Sequence, residues 1–521
     1  MKAGRMDAVI VGSGAAGSLL AARLAEGGKA VLVLEAGPQR SLNDLYSSQI
    51  WARRLKWPAP QGETGGADPI SVSFASGWGT GGSALHHYAG WFRLHPEDFE
   101  MATRFGRGLD WPISYEDLRS SYDEIQRDVG ISGDARKEVW RPPGDPYPMP
   151  SLPVFKHAML IQRGFEKLGL RTAPMPTAVN SVPYKGRAAC VNDGWCDAGC
   201  PFGALANPLA THLPQALKAG ARILHRSFVT RVLVSDKGDR ATGVEYYNAE
   251  GERRVQEAEA VVLAAFAIQT PRILLDSATK RHPTGLGNSS GLVGRYMMAH
   301  AATNVFGLFT EETDNFLGRT GGQLLAQDGY AKDPRKGYLA SSQWLIGNAL
   351  KPNDLLGIVN ARPELFGEPL HRFMGTASMH LATMTFVGES LPNPDNRLVL
   401  GDKKDRHGAR LVRLTHQFGP DGVKCFEAGV AQGLEVMRAA GAYEVWAGPR
   451  VRMHAMGGVI MGAERTTSVT NSYGQVHDVP NLFVAGSSIF PTCGGVNPTF
   501  TIYALAQRAA KYVLTNWTSL T

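Results

Sequence analysis

Residues 7–37 constrain the fold of this chain more than any other stretch. They read DAVIVGSGAAGSLLAARLAEGGKAVLVLEAG, so that a short apolar run at residues 8–11 leads into Gly12, Gly14 and Gly17 with the spacing G-x-G-x-x-G. Such a run is typical of a buried parallel strand. The three glycines permit a tight turn, the close approach of a pyrophosphate, and close packing of the helix that follows. The stretch therefore predicts a strand, a turn, a helix and a second strand.

The same stretch predicts a dinucleotide site. The helix N-terminus, at Ala15 and Ala16, offers free N–H groups and a positive dipole end to phosphates. Glu35 ends the second strand, 18 residues after Gly17 and just before Ala36, and a carboxylate there can accept both hydroxyls of an adenosine ribose. Because strand, helix, second strand and acid all agree, we interpret the glycines as a nucleotide-binding turn in preference to a structural one.

Length and charge limit the classes to which the chain can belong. At 521 residues it exceeds what one core usually supports, so we expect about two domains. The net charge of +7 is dispersed along the chain, which argues against nucleic acid as a partner. No apolar run is long enough to span a bilayer, and no signal peptide fits before residue 7. We expect a cytoplasmic protein, with periplasmic or membrane-associated placement through a partner subunit as the alternative.

The pattern along the chain predicts an α/β protein with more than one domain. Residues 260–267 read as another buried strand, and Pro271 after Thr270 predicts the first turn of a helix. Between residues 301 and 413, alternating strands rich in aromatic residues, Thr and Met favour a mostly antiparallel sheet. The predicted units are a discontinuous cofactor-binding domain (1–150, 205–300 and 450–521), a substrate-binding domain (301–449) and a connector with a cysteine cluster (151–204).

Four segments resemble the glucose–methanol–choline (GMC) family of FAD oxidoreductases, and the resemblance spans nearly the whole chain. They are VGSGAAGS…VLEAG at residues 11–37, GTGGSA at 79–84, FAIQTPRILLDSA at 266–278 and NLFVAGSSIFPTCGGVNPTF at 481–500. The last segment is similar to the cholesterol-oxidase and gluconate/glucose-dehydrogenase branches. The resemblance implies a Rossmann-like FAD-binding domain with a second, mostly antiparallel-sheet substrate domain. Glycines that recur at 79–82 and 494–495 independently suit a ligand as long as FAD.

The resemblance also implies which residues contact FAD. Beyond the fingerprint between residues 12 and 36 they are Gly79, Gly81, Gly82, Ser83, His86, Val229, Ala265, Gly486, Ser487, Asn497, Pro498 and Thr499. His86 is expected to contact the flavin, with covalent attachment as the alternative. Val229 corresponds to a residue that packs on the adenine, although an ordinary core valine is an equally good interpretation. Gly486 departs from the many members that carry an acid there.

His454, in RMHAMGG, and Asn497, in GGVNPTF, form the predicted catalytic pair. Oxidising an alcohol at a flavin requires a base that takes the hydroxyl proton while hydride leaves carbon for N5, and a group that holds the oxygen. Histidine suits the first task near neutral pH, and asparagine can donate to the oxygen without competing for the proton. Their positions in the family motifs imply the same roles. We expect them to face one side of the flavin, with a hydroxyl-sized gap between them.

Cys190, Cys196 and Cys200 are spaced C-x5-C-x3-C, with Pro201 after the last. Three cysteines and a following proline indicate iron–sulfur ligation. The spacing resembles that of the catalytic subunits of bacterial FAD glucose, fructose and sorbitol dehydrogenases, which implies a [3Fe-4S] cluster. A structural turn, as in related oxidases, is the alternative, and zinc normally requires a fourth ligand.

Together these features predict an FAD-dependent dehydrogenase that oxidises a sugar, a polyol or another secondary alcohol. Its electrons are expected to pass through the iron–sulfur cluster to an external acceptor. A small chaperone-like subunit and a cytochrome or other electron acceptor are the partners that the resemblance allows. The alternatives are a cholesterol-oxidase-like enzyme that uses O₂ and a flavin-binding subunit without its own catalysis. The presence of both His454 and Asn497 argues against the second alternative.

Overall fold

The computed structural model of the protein describes residues 4–57, 62–71, 76–359 and 361–520, so both ends of the predicted first domain, residues 1–3 and 521, lie outside the described residues. The strands of the described part are β1 (Met6–Val11), β2 (Val31–Leu34), β3 (Gly62–Gly65), β4 (Ala173–Pro174), β5 (Arg222–Leu224), β6 (Phe228–Val234), β7 (Ala241–Tyr247), β8 (Arg253–Leu263), β9 (Met298–Leu308), β10 (Leu324–Ala326), β11 (Ser342–Ile346), β12 (Leu381–Gly388), β13 (Arg397–Lys404), β14 (Arg410–Thr415), β15 (Glu444–Ala447), β16 (Val451–Met456) and β17 (Leu482–Val484). The helices are α1 (Ala15–Glu26), α2 (Gln49–Arg54), α3 (Met101–Phe105), α4 (Tyr115–Val129), α5 (Lys156–Lys167), α6 (His212–Lys218), α7 (Phe266–Asp276), α8 (Pro352–Val359), α9 (Glu368–His380), α10 (Pro420–Ala440), α11 (Thr499–Thr515) and α12 (Trp517–Leu520).

The first sheet is built around β1, which pairs in parallel with β2 on one side and β8 on the other. Parallel strands β5 and β17 extend it beyond β2 and β8, and β6 and β7 continue it as an antiparallel ribbon along the first half of β8. Strand β1 is almost wholly buried, as is typical of a central parallel strand, and α1 packs against it. The predicted order of strand, turn, helix and strand in residues 7–37 is confirmed.

The second sheet has the order β15-β9-β12-β11-β10-β4, and β16 pairs with the first half of β9. All these pairings are antiparallel, so the predicted mostly antiparallel sheet is confirmed. Helices α5 and α10 pack against it. Strands β4 and β16 come from outside residues 301–449, and the predicted domain bounds remain a prediction. A third, small sheet joins β13, β14 and β3.

Helix α7 begins earlier than the sequence predicts. It starts at Phe266 rather than at Pro271, which lies inside the helix. The proline removes one backbone hydrogen bond there, to the carbonyl of Ala267, and the helix tolerates the loss. The early start places the N-terminus of α7 directly after β8. No described helix is both long and apolar enough to cross a membrane.

Candidate active site

A cavity of about 370 Å³ lies at the carboxyl ends of the parallel strands. Strands β1, β2, β8 and β17 all end at this edge, which is where open parallel sheets bind their ligands. The sequence-predicted residues that line it are Gly12, Gly14, Ala15, Ala16, Glu35, Ala36, Gly82, Ser83, His86, Val229, Ala265, His454, Gly486, Ser487, Asn497, Pro498 and Thr499. Segments far apart in sequence therefore meet at one site.

The remaining predicted contact residues for the dinucleotide, Gly17, Gly79 and Gly81, lie behind the wall of the cavity and support it. A Cβ on Gly17 would lie 2.0 Å from the carbonyl oxygen of Gly12, so this glycine permits the helix to pack on the turn. A Cβ on Gly79 would lie 2.7 Å from the carbonyl of Pro38. The backbone N–H of Gly81 donates to the Ser13 hydroxyl at 3.1 Å.

The strand ends leave space and donors that suit the pyrophosphate of FAD. Within the described residues, no side chain caps the N-terminus of α1, so the first-turn N–H groups remain available to a ligand. A Cβ on Gly14 would meet only the carbonyl of Gly81, at 3.9 Å, and a Cβ on Gly486 would meet nothing within 4 Å. Both glycines line the cavity, so a ligand can approach their backbone closely. The edge therefore fits FAD.

Glu35 is held in one orientation by three donors. The backbone N–H and hydroxyl of Ser13 donate to Oε2 at 3.1 and 2.7 Å, and the backbone N–H of Gly37 donates to Oε1 at 2.9 Å. Burial raises the pKa of Glu35, and these hydrogen bonds oppose that shift. A carboxylate fixed in this way has lone pairs left for the hydroxyls of a ribose.

A β-bulge directs His454 towards the cavity. Met453 pairs with His300 on β9, and Met456 pairs with Met298, so β16 carries one extra residue between the two pairs. His454 lies in this bulge with φ of +58°, a left-handed conformation that is uncommon and costly for a residue other than glycine. Bulges of this kind re-aim side chains beside active sites. The irregular backbone brings His454 to Asn497.

His454 and Asn497 are in direct contact. The side-chain Nδ2 of Asn497 lies 3.4 Å from Nε2 of His454, so the expected hydroxyl-sized gap between them is closed. A substrate oxygen at about 2.8 Å from both nitrogens would lie to one side of the line that joins them. Burial lowers the pKa of His454 to about 3, and the neighbouring His300 adds to the shift. The imidazole is therefore neutral at physiological pH, as a base must be.

The three predicted metal ligands pack together and do not line the cavity. Cys190, Cys196 and Cys200 belong to one small apolar cluster, and the backbone N–H of Asn192 donates to Sγ of Cys190 at 3.3 Å. Burial raises the pKa of all three thiols, that of Cys196 to about 12. Across the described residues, no three His, Cys, Asp or Glu side chains have the arrangement of a metal site. The donors suit iron in chemistry but are not placed as ligands.

Several residues of the site carry no recognisable sequence signal. Trp57 and Tyr88 line the cavity, and Gln343 donates from Nε2 to Oδ1 of Asn497 at 2.9 Å. None of these lies in a glycine-rich motif. Ser13 lies inside the fingerprint, yet its bond to Glu35 follows from the tertiary fold.

Comparisons with known proteins show similarity over nearly the whole chain. Two family models, both described as GMC oxidoreductase, match residues 6–302 and 392–506. The fructose dehydrogenase large subunit of Gluconobacter japonicus is 30% identical over 535 residues, covering 98% of this chain and 97% of that protein. The 2-methyl-1,2-propanediol dehydrogenase of Mycolicibacterium austroafricanum is 31% identical over 546 residues, covering 98% and 95%.

A solved structure shares the fold across the whole chain. Pyridoxine 4-oxidase from Mesorbium loti superposes with a TM-score of 0.65 at 19% sequence identity, covering 98% of this chain and 99% of that one. The similarity extends the match from sequence motifs to the arrangement of the sheets.

Proposed function

The chain belongs to the GMC oxidoreductase family of flavoenzymes that oxidise alcohol groups, and from this premise we propose that it is an FAD-dependent dehydrogenase of a sugar, a polyol or another secondary alcohol. FAD, when bound, supplies the acceptor for the hydride of the alcohol. Residues 12–36 and the N-termini of α1 and α7 would hold its dinucleotide part. The observation that carries the proposal is the contact between His454 and Asn497 inside the same cavity.

Asn497 and His454 would have different roles at the hydroxyl group of the substrate. Asn497 would donate a hydrogen bond from Nδ2 to the substrate oxygen and so orient the C–H bond. His454 would accept the hydroxyl proton at Nε2 as the alcohol becomes a carbonyl compound. Asn497 is buried and His454 is partly buried in the cavity wall, which limits the competition of bulk water with the substrate for these bonds.

The choice of a dehydrogenase rests on the two relatives named above, which both carry that activity in their names. The name of the first, a large subunit, also supports a partner subunit for this chain. A cytochrome or another external acceptor would then take the electrons. An oxidase of the cholesterol-oxidase type is the alternative, and it would return the electrons to O₂.

One experiment tests both the cofactor and the reaction. The purified protein is expected to be yellow and to release FAD on denaturation; flavin that stays with the precipitate indicates covalent attachment at His86. Under anaerobic conditions, fructose, sorbitol or 2-methyl-1,2-propanediol is expected to bleach the flavin. The reduced protein is then mixed with O₂ or with a dye. Fast reoxidation by the dye and slow reoxidation by O₂ support a dehydrogenase, and the reverse order identifies an oxidase. A colourless protein without FAD contradicts the assignment.

We infer further that Cys190, Cys196 and Cys200 bind a [3Fe-4S] cluster that carries electrons out of the protein. The shared apolar cluster of the three cysteines and the N–H donor at Cys190 support this assignment. Their side chains would have to move to become ligands, because the described arrangement is not that of a metal site.

Anaerobically prepared, FAD-replete protein is expected to contain about three irons per chain together with acid-labile sulfide. A Cys196→Ser variant should lose the iron because it removes one ligand. Cys425→Ser, at a buried thiol outside the cluster, is the matched control and should keep it. If the parent protein contains no iron, the cysteines form a structural turn, and the oxidase alternative is favoured.

A further inference from the structure

His300 lies directly behind the catalytic pair and is not among the residues that line the cavity. It is completely buried. Its Nδ1 is 2.9 Å from Nδ1 of His454, and its Nε2 is 2.8 Å from the carbonyl oxygen of Gly494. Gly494 precedes Asn497 on the same loop. His300 therefore contacts both His454 and the loop that carries Asn497, but it does not line the cavity.

The carbonyl of Gly494 determines which ring nitrogens of His300 and His454 carry hydrogen. A carbonyl oxygen only accepts, so Nε2 of His300 must carry a hydrogen. Burial lowers the pKa of His300 to about 4, so the ring is neutral and its Nδ1 has a free lone pair. The 2.9 Å contact is then a hydrogen bond only if Nδ1 of His454 donates. A neutral His454 with hydrogen on Nδ1 has its lone pair on Nε2.

The asparagine is oriented from the opposite side. Gln343, on β11, donates from Nε2 to Oδ1 of Asn497 at 2.9 Å, and Gln327 donates to Oε1 of Gln343 at 3.0 Å. With Oδ1 engaged, the Nδ2 hydrogens of Asn497 point towards His454. All hydrogen bonds from Gln327 to the carbonyl of Gly494 thus run in one direction, and reversing any of them would place two donors or two acceptors in contact.

We propose that His300 is a positioning residue that holds His454 in the tautomer with hydrogen on Nδ1. Gln343 is a second positioning residue, which holds the amide of Asn497 with its Nδ2 towards His454. The inference rests on the proposed function, because it assigns a tautomer to the proposed base. As the hydroxyl proton bonds to Nε2, the hydrogen on Nδ1 stays in its bond to His300, which also stabilises the charge that His454 acquires. The lone pair of His300 takes the place that a carboxylate holds in hydrolase triads.

Loss of His300 would release this constraint. Nδ1 of His454 and the carbonyl of Gly494 would lose their partner, and His454 would distribute between two tautomers and several ring orientations. At metal sites, removing the hydrogen-bond partner that orients a ligating histidine typically costs about 10–100-fold, and we expect a loss of the same order here. The loss should appear in the rate of flavin reduction and not in the affinity for the alcohol.

The test compares His300→Leu with His300→Asn, whose Oδ1 can still accept from His454. With the panel alcohol that reduces the parent fastest, anaerobic rapid mixing should show a reduction rate about 10–100-fold lower for His300→Leu, with an unchanged apparent Kd. His300→Asn should recover most of the rate. His157→Leu is the matched control, since His157 is also fully buried and its two ring nitrogens each lie 3.2 Å from a backbone carbonyl elsewhere; it should leave the rate unchanged. Gln343→Glu, which places an acceptor against Oδ1 of Asn497, should lower the rate as well.

A second measurement does not depend on turnover. In protein labelled with ¹⁵N-histidine, the His454 signals, identified by their absence in His454→Ala, should show a protonated Nδ1 and an unprotonated Nε2. A spectrum with the opposite assignment overturns the inference, even if His300→Leu fails to fold. So does a His300→Leu variant that reduces its flavin at the parent rate while His454→Ala is inactive. If His454→Ala itself is fully active, the proposed function fails instead.

Discussion

Replacing His454 with alanine is expected to slow anaerobic flavin reduction by about 10²–10⁴-fold. Hydride cannot leave the alcohol carbon until the hydroxyl proton is being taken, and the structure places no second base in contact with Asn497 among the described residues. FAD should stay bound, because the strand ends that form its cradle do not depend on this side chain. Rapid mixing of the alcohol with the oxidised protein isolates this half-reaction from any missing partner.

Two further variants separate proton transfer from packing. His454→Gln keeps a polar side chain of similar length but has no basic nitrogen, and it should lose as much rate as the alanine variant. Asn497→Ala keeps the base and loses the donor that orients the substrate, so its smaller loss should come through misalignment. Flavin reduction at the parent rate in His454→Ala would refute the assignment of the base, whatever dye-linked turnover showed.

Replacing Lys332 with methionine is expected to cause the largest loss of stability, about 3–5 kcal/mol in the free energy of unfolding. The Nζ of Lys332 lies 2.6 Å from Oε2 of Glu389 and 3.0 Å from Oδ1 of Asp98, and all three side chains are fully buried. Methionine fills similar volume but leaves the two carboxylates without their cation. Breaking a buried pair costs far more than the intact pair contributes, because the remaining charge has no solvent. Thermal unfolding of FAD-replete protein measures the loss.

The matched control is Lys403→Met. Lys403 forms an ion pair with Glu63 at 2.8 Å, but both side chains are largely exposed, at 77% and 51%. Solvent and salt screen such pairs, so no measurable change in melting temperature is expected. A Lys332→Met protein as stable as the parent would show that the buried carboxylates find other partners or are already protonated.

The stability of Lys332→Met should depend on pH in a distinctive way. Burial raises the pKa of Glu389, and the attraction of Lys332 opposes that shift. Without Lys332 the pKa of Glu389 in the folded state rises further above its value in the unfolded chain. A carboxyl with a raised pKa favours the folded state while it is protonated, and this contribution is lost as pH rises through the folded-state pKa. The deficit of Lys332→Met relative to the parent should therefore be smaller at pH 5 than at pH 8.

The network of hydrogen bonds around Lys332 also reaches the loop that carries Asn497. Tyr330 donates to Asp98 at 2.6 Å, and the backbone N–H of Gly495 donates to the hydroxyl of Tyr330 at 3.2 Å. Gly495 lies two residues before Asn497. The network around Lys332 thus holds the loop that presents the asparagine, so a destabilised network is expected to affect both stability and alignment.

Local sequence determined the cofactor edge of this protein. The turn at Gly12, the helix after it and the acid at Glu35 lie within about 30 residues, and each follows from backbone sterics or from the periodicity of apolar residues. The mostly antiparallel sheet was also predictable, because alternation along a strand is a local pattern. The start of α7 was not predictable, because the local sequence does not distinguish a proline inside a helix from a proline in its first turn.

Only the tertiary structure decided which side chains meet at the reacting group. His300 and His454 are 154 residues apart, as are Gln343 and Asn497. The contact between His300 and His454 depends on the register between β9 and β16 and on one extra residue in β16, and a shift of a single residue would turn these two side chains to the other face. The sequence could identify a base and a donor by their motifs. The tautomer of the base depends on partners that no local pattern specifies, because long-range pairing sets their positions.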